Sequence, residues 1–142
     1  MEPRISIVTL GVADLERSLR FYRDGLGFPT TWSPDRGVIF FQTQGTRLAL
    51  WGLKDMAQDI DPAAKPERPP FTAINLAHNT RTQEEVDVVL QLAATAGGKI
   101  VKPGHRTFWG GYSGYFADPD GHVWEVAFGA FPFNPDGSLA IP

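Results

Sequence analysis

Few side chains in this sequence are equipped for chemistry, and their types restrict what that chemistry is. There is no cysteine, which excludes disulfides, thiol catalysis, zinc fingers and thiolate-bound iron–sulfur clusters. The three histidines, His78, His105 and His122, leave almost no room for a histidine-rich metal centre. Glu125 stands in the strand-like run HVWEVAF. A carboxylate buried among aromatic side chains has a raised pKa unless Arg47, Tyr115 or Asn75 satisfies it. So placed, it serves as a general base, or it binds an amine or hydroxyl. The competing reading is structural, with Glu125 paired to Arg47 or Tyr115 and simply joining two halves of the fold. The segment Thr107-Phe108-Trp109-Gly110-Gly111-Tyr112 sets two glycines beside bulky aromatics, which allows close backbone approach and a swinging lid. Trp109 then forms a pocket wall, or else the loop packs on a neighbouring subunit. No helix start or Lys-Ser/Thr follows the glycines, so nucleotide binding has no support.

The elements that must position these residues repeat. Residues 4–12 are rich in Ile, Val and Thr and read as a strand. Asp14 supplies an N-cap, and Leu15, Leu19, Tyr22 and Leu26 recur at helical spacing until Gly25 and Gly27 end the helix. Strands follow over 38–43 and 46–51, joined by a turn at Gln44-Gly45. The second half has the same order: a strand FTAINLAH, a Thr82/Glu85 capping box, and a helix whose face is Val86, Val89, Leu90 and Ala93. Gly97-Gly98 stops that helix. A short strand over 99–102 precedes YSGYFA and HVWEVAF, which pair through the turn Asp118-Pro119-Asp120-Gly121. A shift of 68 residues lays Ile7 on Asn75, Val12 on Thr80, Ser18 on Val86 and Phe21 on Val89. Gly45 on Gly121 likewise sets Ala49 on Glu125. The fold class is α+β, two tandem βαβββ modules over about 4–52 and 71–129. Between them lies a charged, proline-rich linker or flap over 53–70, and a tail over 130–142 follows; all 142 residues form one domain.

Composition agrees with this. The chain has 42% hydrophobic and 20% charged residues with a net charge of −3, so it is too apolar for a disordered protein. A pI near 5.5 leaves no electrostatic footprint for nucleic acid. No signal peptide and no run of 18 apolar residues is present, which predicts a soluble, cytoplasmic protein with no membrane partner. Ten Phe, four Trp and three Tyr suit an aromatic-lined cavity.

VADLERSLRFYRDGLGF after a first strand, with DPDGHVWEV closing the second module, resembles the vicinal-oxygen-chelate superfamily. That superfamily holds glyoxalase I, fosfomycin-resistance transferases, extradiol dioxygenases and bleomycin-resistance proteins. FWGGYSGYFADPDGHVWEV is similar to a glyoxalase-like subgroup of undefined substrate. The resemblance covers residues 4–129 and implies a curved, cup-shaped mixed sheet with helices on its convex face and ligand on its concave face. It also implies up to four metal ligands, which fall here on Ile7, Ala49, Asn75 and Glu125. Ile7 and Ala49 coordinate nothing, and an Asn amide is a weak donor for transition metals. No cofactor is therefore expected, and a divalent metal would rest on Glu125, waters and substrate oxygens.

Strand parity then lists the lining of the cup. Glu125 inward brings Val123 and Ala127 inward and puts Trp124, Val126 and Phe128 beneath the helices. Tyr115 and Ser113 hold the positions that face ligand in the fosfomycin-resistance relatives. Ala49 inward brings Arg47 and Trp51 with it, and Ile7 and Thr9 face Asn75 and Ala77. Either Phe40 or Phe41 also faces in. His78 turns to the opposite face from Asn75 and reads as a buried histidine bonded to backbone beneath the second helix. His122 reads as partly exposed. His105 borders the aromatic-glycine loop, where it either meets an anionic ligand or is solvated. The predicted catalytic pair is Glu125 and Tyr115. The predicted binding residues are Asn75, Trp51, Arg47, Trp109, Ser113, His105 and Ile7. The expected protein is a homodimer that binds an aromatic or amphipathic small molecule. The rival is a lyase or isomerase with Glu125 as base and Tyr115 and Asn75 stabilising an enolate-like or oxyanion intermediate.

Overall fold

The computed structural model describes residues 1–129 and 131–141; positions 130 and 142 of the expected tail lie outside them. The elements run β1 (Ile7–Val12), α1 (Leu15–Leu19), β2 (Val38–Phe40), β3 (Arg47–Gly52), α2 (Leu53–Ile60), β4 (Asn75–Asn79), α3 (Gln83–Thr95), β5 (Lys99–Arg106), β6 (Tyr112–Ala117) and β7 (Val123–Phe128). β1 and β4 begin 68 residues apart, as do α1 and α3, so the repeat is real in three dimensions. One sheet has the order β1-β3-β2 and the other β4-β7-β6-β5. In each, the first strand runs parallel to the last, and the last pairs antiparallel with its predecessor.

The first sheet has three strands where a βαβββ module has four. The chain before β2 carries Pro29, which has no amide to donate to a ladder. What remains there is a pair of bonds, Gln42 N to Pro29 O at 2.8 Å and Thr30 Oγ1 to Phe40 O at 2.7 Å.

Both N-caps form as their sequences dictate. The Asp14 side chain accepts from Arg17 N at 2.9 Å, and Thr82 and Glu85 close a reciprocal capping box. α1 passes at Arg20 into a π-helical turn ending at Gly25. The wider turn buries the adjacent Phe21 and Tyr22 together. Around Tyr22 lie the rings of Phe28, Phe41 and Trp124, with centroids 5.7–6.2 Å away, and Trp124 stacks on Phe116. One apolar cluster runs from Leu10, Leu48 and Leu50 of the first module to Val86, Leu90 and Val126 of the second.

The segment read as a linker contains α2, which lies on the sheet face away from that core. The missing side chain of Gly11 makes room for it, because a Cβ there would stand 2.7 Å from Leu53 Cδ1. Two other expectations change. β5 continues to Arg106 through register shifts either side of Lys102, so His105 lies in a strand and not in a loop. His78 is exposed instead of buried. β4 is an edge strand, and α3 packs mainly over β5, β6 and β7.

Candidate functional site

Strand register brings together the two residues predicted to be catalytic. Tyr115 of β6 stands opposite Glu125 of β7, and its hydroxyl donates to Glu125 Oε1 at 3.1 Å. Both are half-buried. Burial raises the Tyr115 pKa, and the adjacent carboxylate raises it further, so the phenol stays a donor. Ala77 of β4 is level with Glu125 on the other side, while Asn75 lies one pleat away beside Val123. Asn75, Tyr115 and Val123 share a cavity of about 270 Å³ with Arg68 of the linker and Phe71 just after it. In the next row Ser113 is buried between Ala127 and His105. The His105 ring contacts Pro103 O at 3.2 Å.

The first module contributes less than expected. Arg47 donates to Thr43 O at 2.6 Å and lines a different cavity, so it does not pair with Glu125. Ile7 is exposed, and Trp51 is half-buried opposite Val38. Phe40 lies opposite Ala49 on the site face, whereas Phe41 is buried in the core. The aromatic-glycine segment is a tight hairpin end. Thr107 N donates to Gly111 O, Gly110 N to Thr107 O and Gly111 N to Thr107 Oγ1, at 2.9–3.2 Å. Gly110 takes a φ of 90°, open to glycine alone at low cost. Trp109 folds back over Gly129, with a Cβ there 2.9 Å from its ring.

The metal that the family resemblance implies finds no donor set. The residues level with one another are Thr9 with Ala49 and Ala77 with Glu125, and only Glu125 is a strong ligand. Among the described residues no group of three or more His, Asp or Glu could hold an ion.

Sequence reasoning read DPDG as a turn and missed what its carboxylates hold. Asp118 is buried, and its Oδ2 accepts from Tyr22 Oη at 2.7 Å and lies 2.8 Å from His122 Nδ1. Its Oδ1 accepts from the amides of Asp120 and His122. Burial alone pushes its pKa up, but the His122 ring and Tyr22 hydroxyl outweigh that and hold it below the ordinary carboxylate value. Asp120 accepts from Ala13 N, Arg17 Nη2 and Ser18 Oγ at 2.7–2.8 Å. The two aspartates clasp the first helix to the second sheet. The signal available was two acids in one turn beside buried aromatic strands, without a hint of their distant partners.

Residues 4–126 match the family described as the glyoxalase/bleomycin resistance protein/dioxygenase superfamily. The chain is similar to the crystal structure of a glyoxalase-related enzyme from Fulvimarina pelagi, with 37% identity, 98% of each chain covered and a TM-score of 0.88. A lactoylglutathione lyase from Agrobacterium tumefaciens, 23% identical with a TM-score of 0.67 over 91% of this chain and 96% of its own, shares the fold. Virulence protein STM3117 of Salmonella typhimurium is 30% identical over 128 residues, 87% of this chain and 83% of its own length.

Proposed function

The chain belongs to the glyoxalase/bleomycin resistance protein/dioxygenase superfamily, and from that premise we propose that it binds a small aromatic or amphipathic molecule without a metal. The Tyr115–Glu125 pair carries this reading. It is a hydrogen-bonded polar couple on the sheet face that also carries Val123, Ala127 and Ser113, beside a cavity that Tyr115 and Asn75 line. Apolar walls give affinity and sparse polar groups give orientation. Glu125 accepts a ligand amine or hydroxyl, Tyr115 holds the carboxylate in place, and Ser113, His105, Trp109, Trp51 and Ile7 border the approach. The partner is a second copy of the chain. Ile7, Phe40 and Ile74 leave apolar surface exposed, and β1 and β4 each end a sheet. The working compartment is the cytoplasm; among the described residues no helix is long and apolar enough to cross a membrane.

A second reading rests on the same pair. Glu125 within reach of a substrate C–H or O–H is a general base, and the Tyr115 hydroxyl is a donor for the developing oxyanion, as a lyase or isomerase requires. A thermal-shift screen against aromatic metabolites and antibiotics, with and without Mn²⁺, Ni²⁺, Zn²⁺ and Fe²⁺, tests the proposal. Metal-independent stabilisation by a compound supports it. Stoichiometric transition metal in the purified protein overturns it, and turnover of the stabilising compound favours the enzyme.

A further inference from the structure

A sizeable opening in the molecule lies away from Glu125. It is a cavity of about 660 Å³ at the free edge of β4, between the start of β3, the start of α3 and the C-terminal hairpin. That size suits a small organic ligand. Its apolar lining includes Val8, Phe28, Leu76 and Trp124. Trp124 is 8% exposed, with its indole N–H donated to Tyr22 Oη at 3.1 Å and its ring stacked on Phe116, so it offers the cavity only a ring edge.

The charged lining is Arg47, His78, Arg81 and Glu85. Glu85 is already engaged, with Oε2 accepting from the amides of Arg81 and Thr82 at 2.7 and 3.3 Å. Arg47 gives one N–H to Thr43 O and keeps others. The Arg81 guanidinium lies 4.3 Å from the centre of the Phe133 ring. Phe133 belongs to the C-terminal hairpin, which bridges to Leu139 and places Gly137 against the Gln44 side chain. The imidazoles of His105 and His122 have partners, whereas none joins the His78 ring among the described residues. The charged lining is thus two guanidinium groups and an imidazole against one engaged carboxylate, beside aromatic walls.

We propose that this cavity is a second ligand site that takes a small aromatic carboxylate. The carboxylate meets the donors of Arg81 and His78, with Arg47 adding charge from across the opening. The ring lies against Phe28 and the edge of Trp124, and the hairpin closes over it because Phe133 seats Arg81. This site is independent of the Tyr115–Glu125 pair, so either can fail without the other.

The test is an NMR titration of the full chain with 2-naphthoate, read at the tryptophan indole N–H signals. A saturable shift of Trp124 with Kd below about 1 mM, without shifts at Trp51 and Trp109, is expected. Affinity falls roughly tenfold or more in Arg81→Gln and His78→Gln, and for the neutral 2-naphthalenemethanol. Unchanged amide spectra of the two variants show that each still folds. Absence of saturable binding, a response confined to tryptophans other than Trp124, or parental affinity in either variant overturns the proposal.

Discussion

The hydroxyl of Tyr22 and Oδ2 of Asp118 are 2.7 Å apart across 96 residues of sequence, both buried, and they bind the first helix to the closing turn of the second sheet. Removing the hydroxyl leaves Asp118 short of a donor and Trp124 Nε1 without its acceptor. An unmade buried hydrogen bond costs about 1–3 kcal/mol. Tyr22→Phe should therefore lower the urea-unfolding free energy by about that amount while the Tyr115–Glu125 face keeps its ligand affinity. Equal stability of variant and parent would show that the bond contributes nothing net.

The same aspartate gives the protein an acid limb. The folded-state pKa of Asp118 lies below its ordinary value of 3.8 because its donors outweigh burial. Its contribution is present in full above that ordinary value and is lost as pH falls through the depressed one. Unfolding free energy measured from about pH 5 down to about pH 2 should drop less steeply in Asp118→Asn than in the parent. Parallel curves would contradict this.

Asp120 joins Ala13, Arg17 and Ser18, all in the first module. Asp120→Ala should cost about 2 kcal/mol, since it strands charged and buried donors together. Ser18→Ala in the same chain should add less than its own single effect, because the two share one bond. Denaturant titration of both single variants and the double variant measures the coupling, and strict additivity would count against it.

Thr82 closes the capping box of α3 with Glu85. Thr82→Ala should destabilise the protein by about 1 kcal/mol. It should leave 2-naphthoate affinity at the second cavity near parental, since the Glu85 carboxylate is held by the backbone amides of Arg81 and Thr82, which alanine keeps. Chemical unfolding and the 2-naphthoate titration read the two outcomes separately.

Where local chemistry decides structure, the sequence was a sufficient guide. Asp14 and Thr82 announced their helices, DPDG its turn, and strand alternation the facing of Glu125, Tyr115 and Trp124. Parity alone could not set register. Only the pairing shows that Ala77, and not Asn75, is level with Glu125. Strand parity puts His78 on the helix side but does not say how far the helix covers it, and at the edge strand β4 the residue is exposed. The strand expected over 99–102 leaves His105 beside the aromatic-glycine loop, yet register shifts carry β5 on to Arg106. The clasp at Asp118 and Asp120 lay beyond reach because its partners are more than 90 residues distant.

The central claim is that Glu125 and Tyr115 hold a small-molecule ligand. Its most direct measurement is calorimetric titration of the most stabilising compound from the thermal-shift screen into the parent, Glu125→Gln and Tyr115→Phe. The account predicts affinity reduced roughly tenfold or more in Glu125→Gln, less in Tyr115→Phe, with the melting temperatures of the unliganded proteins little changed. Parental affinity in Glu125→Gln together with a lowered melting temperature would contradict it, and would make the pair a structural contact between β6 and β7.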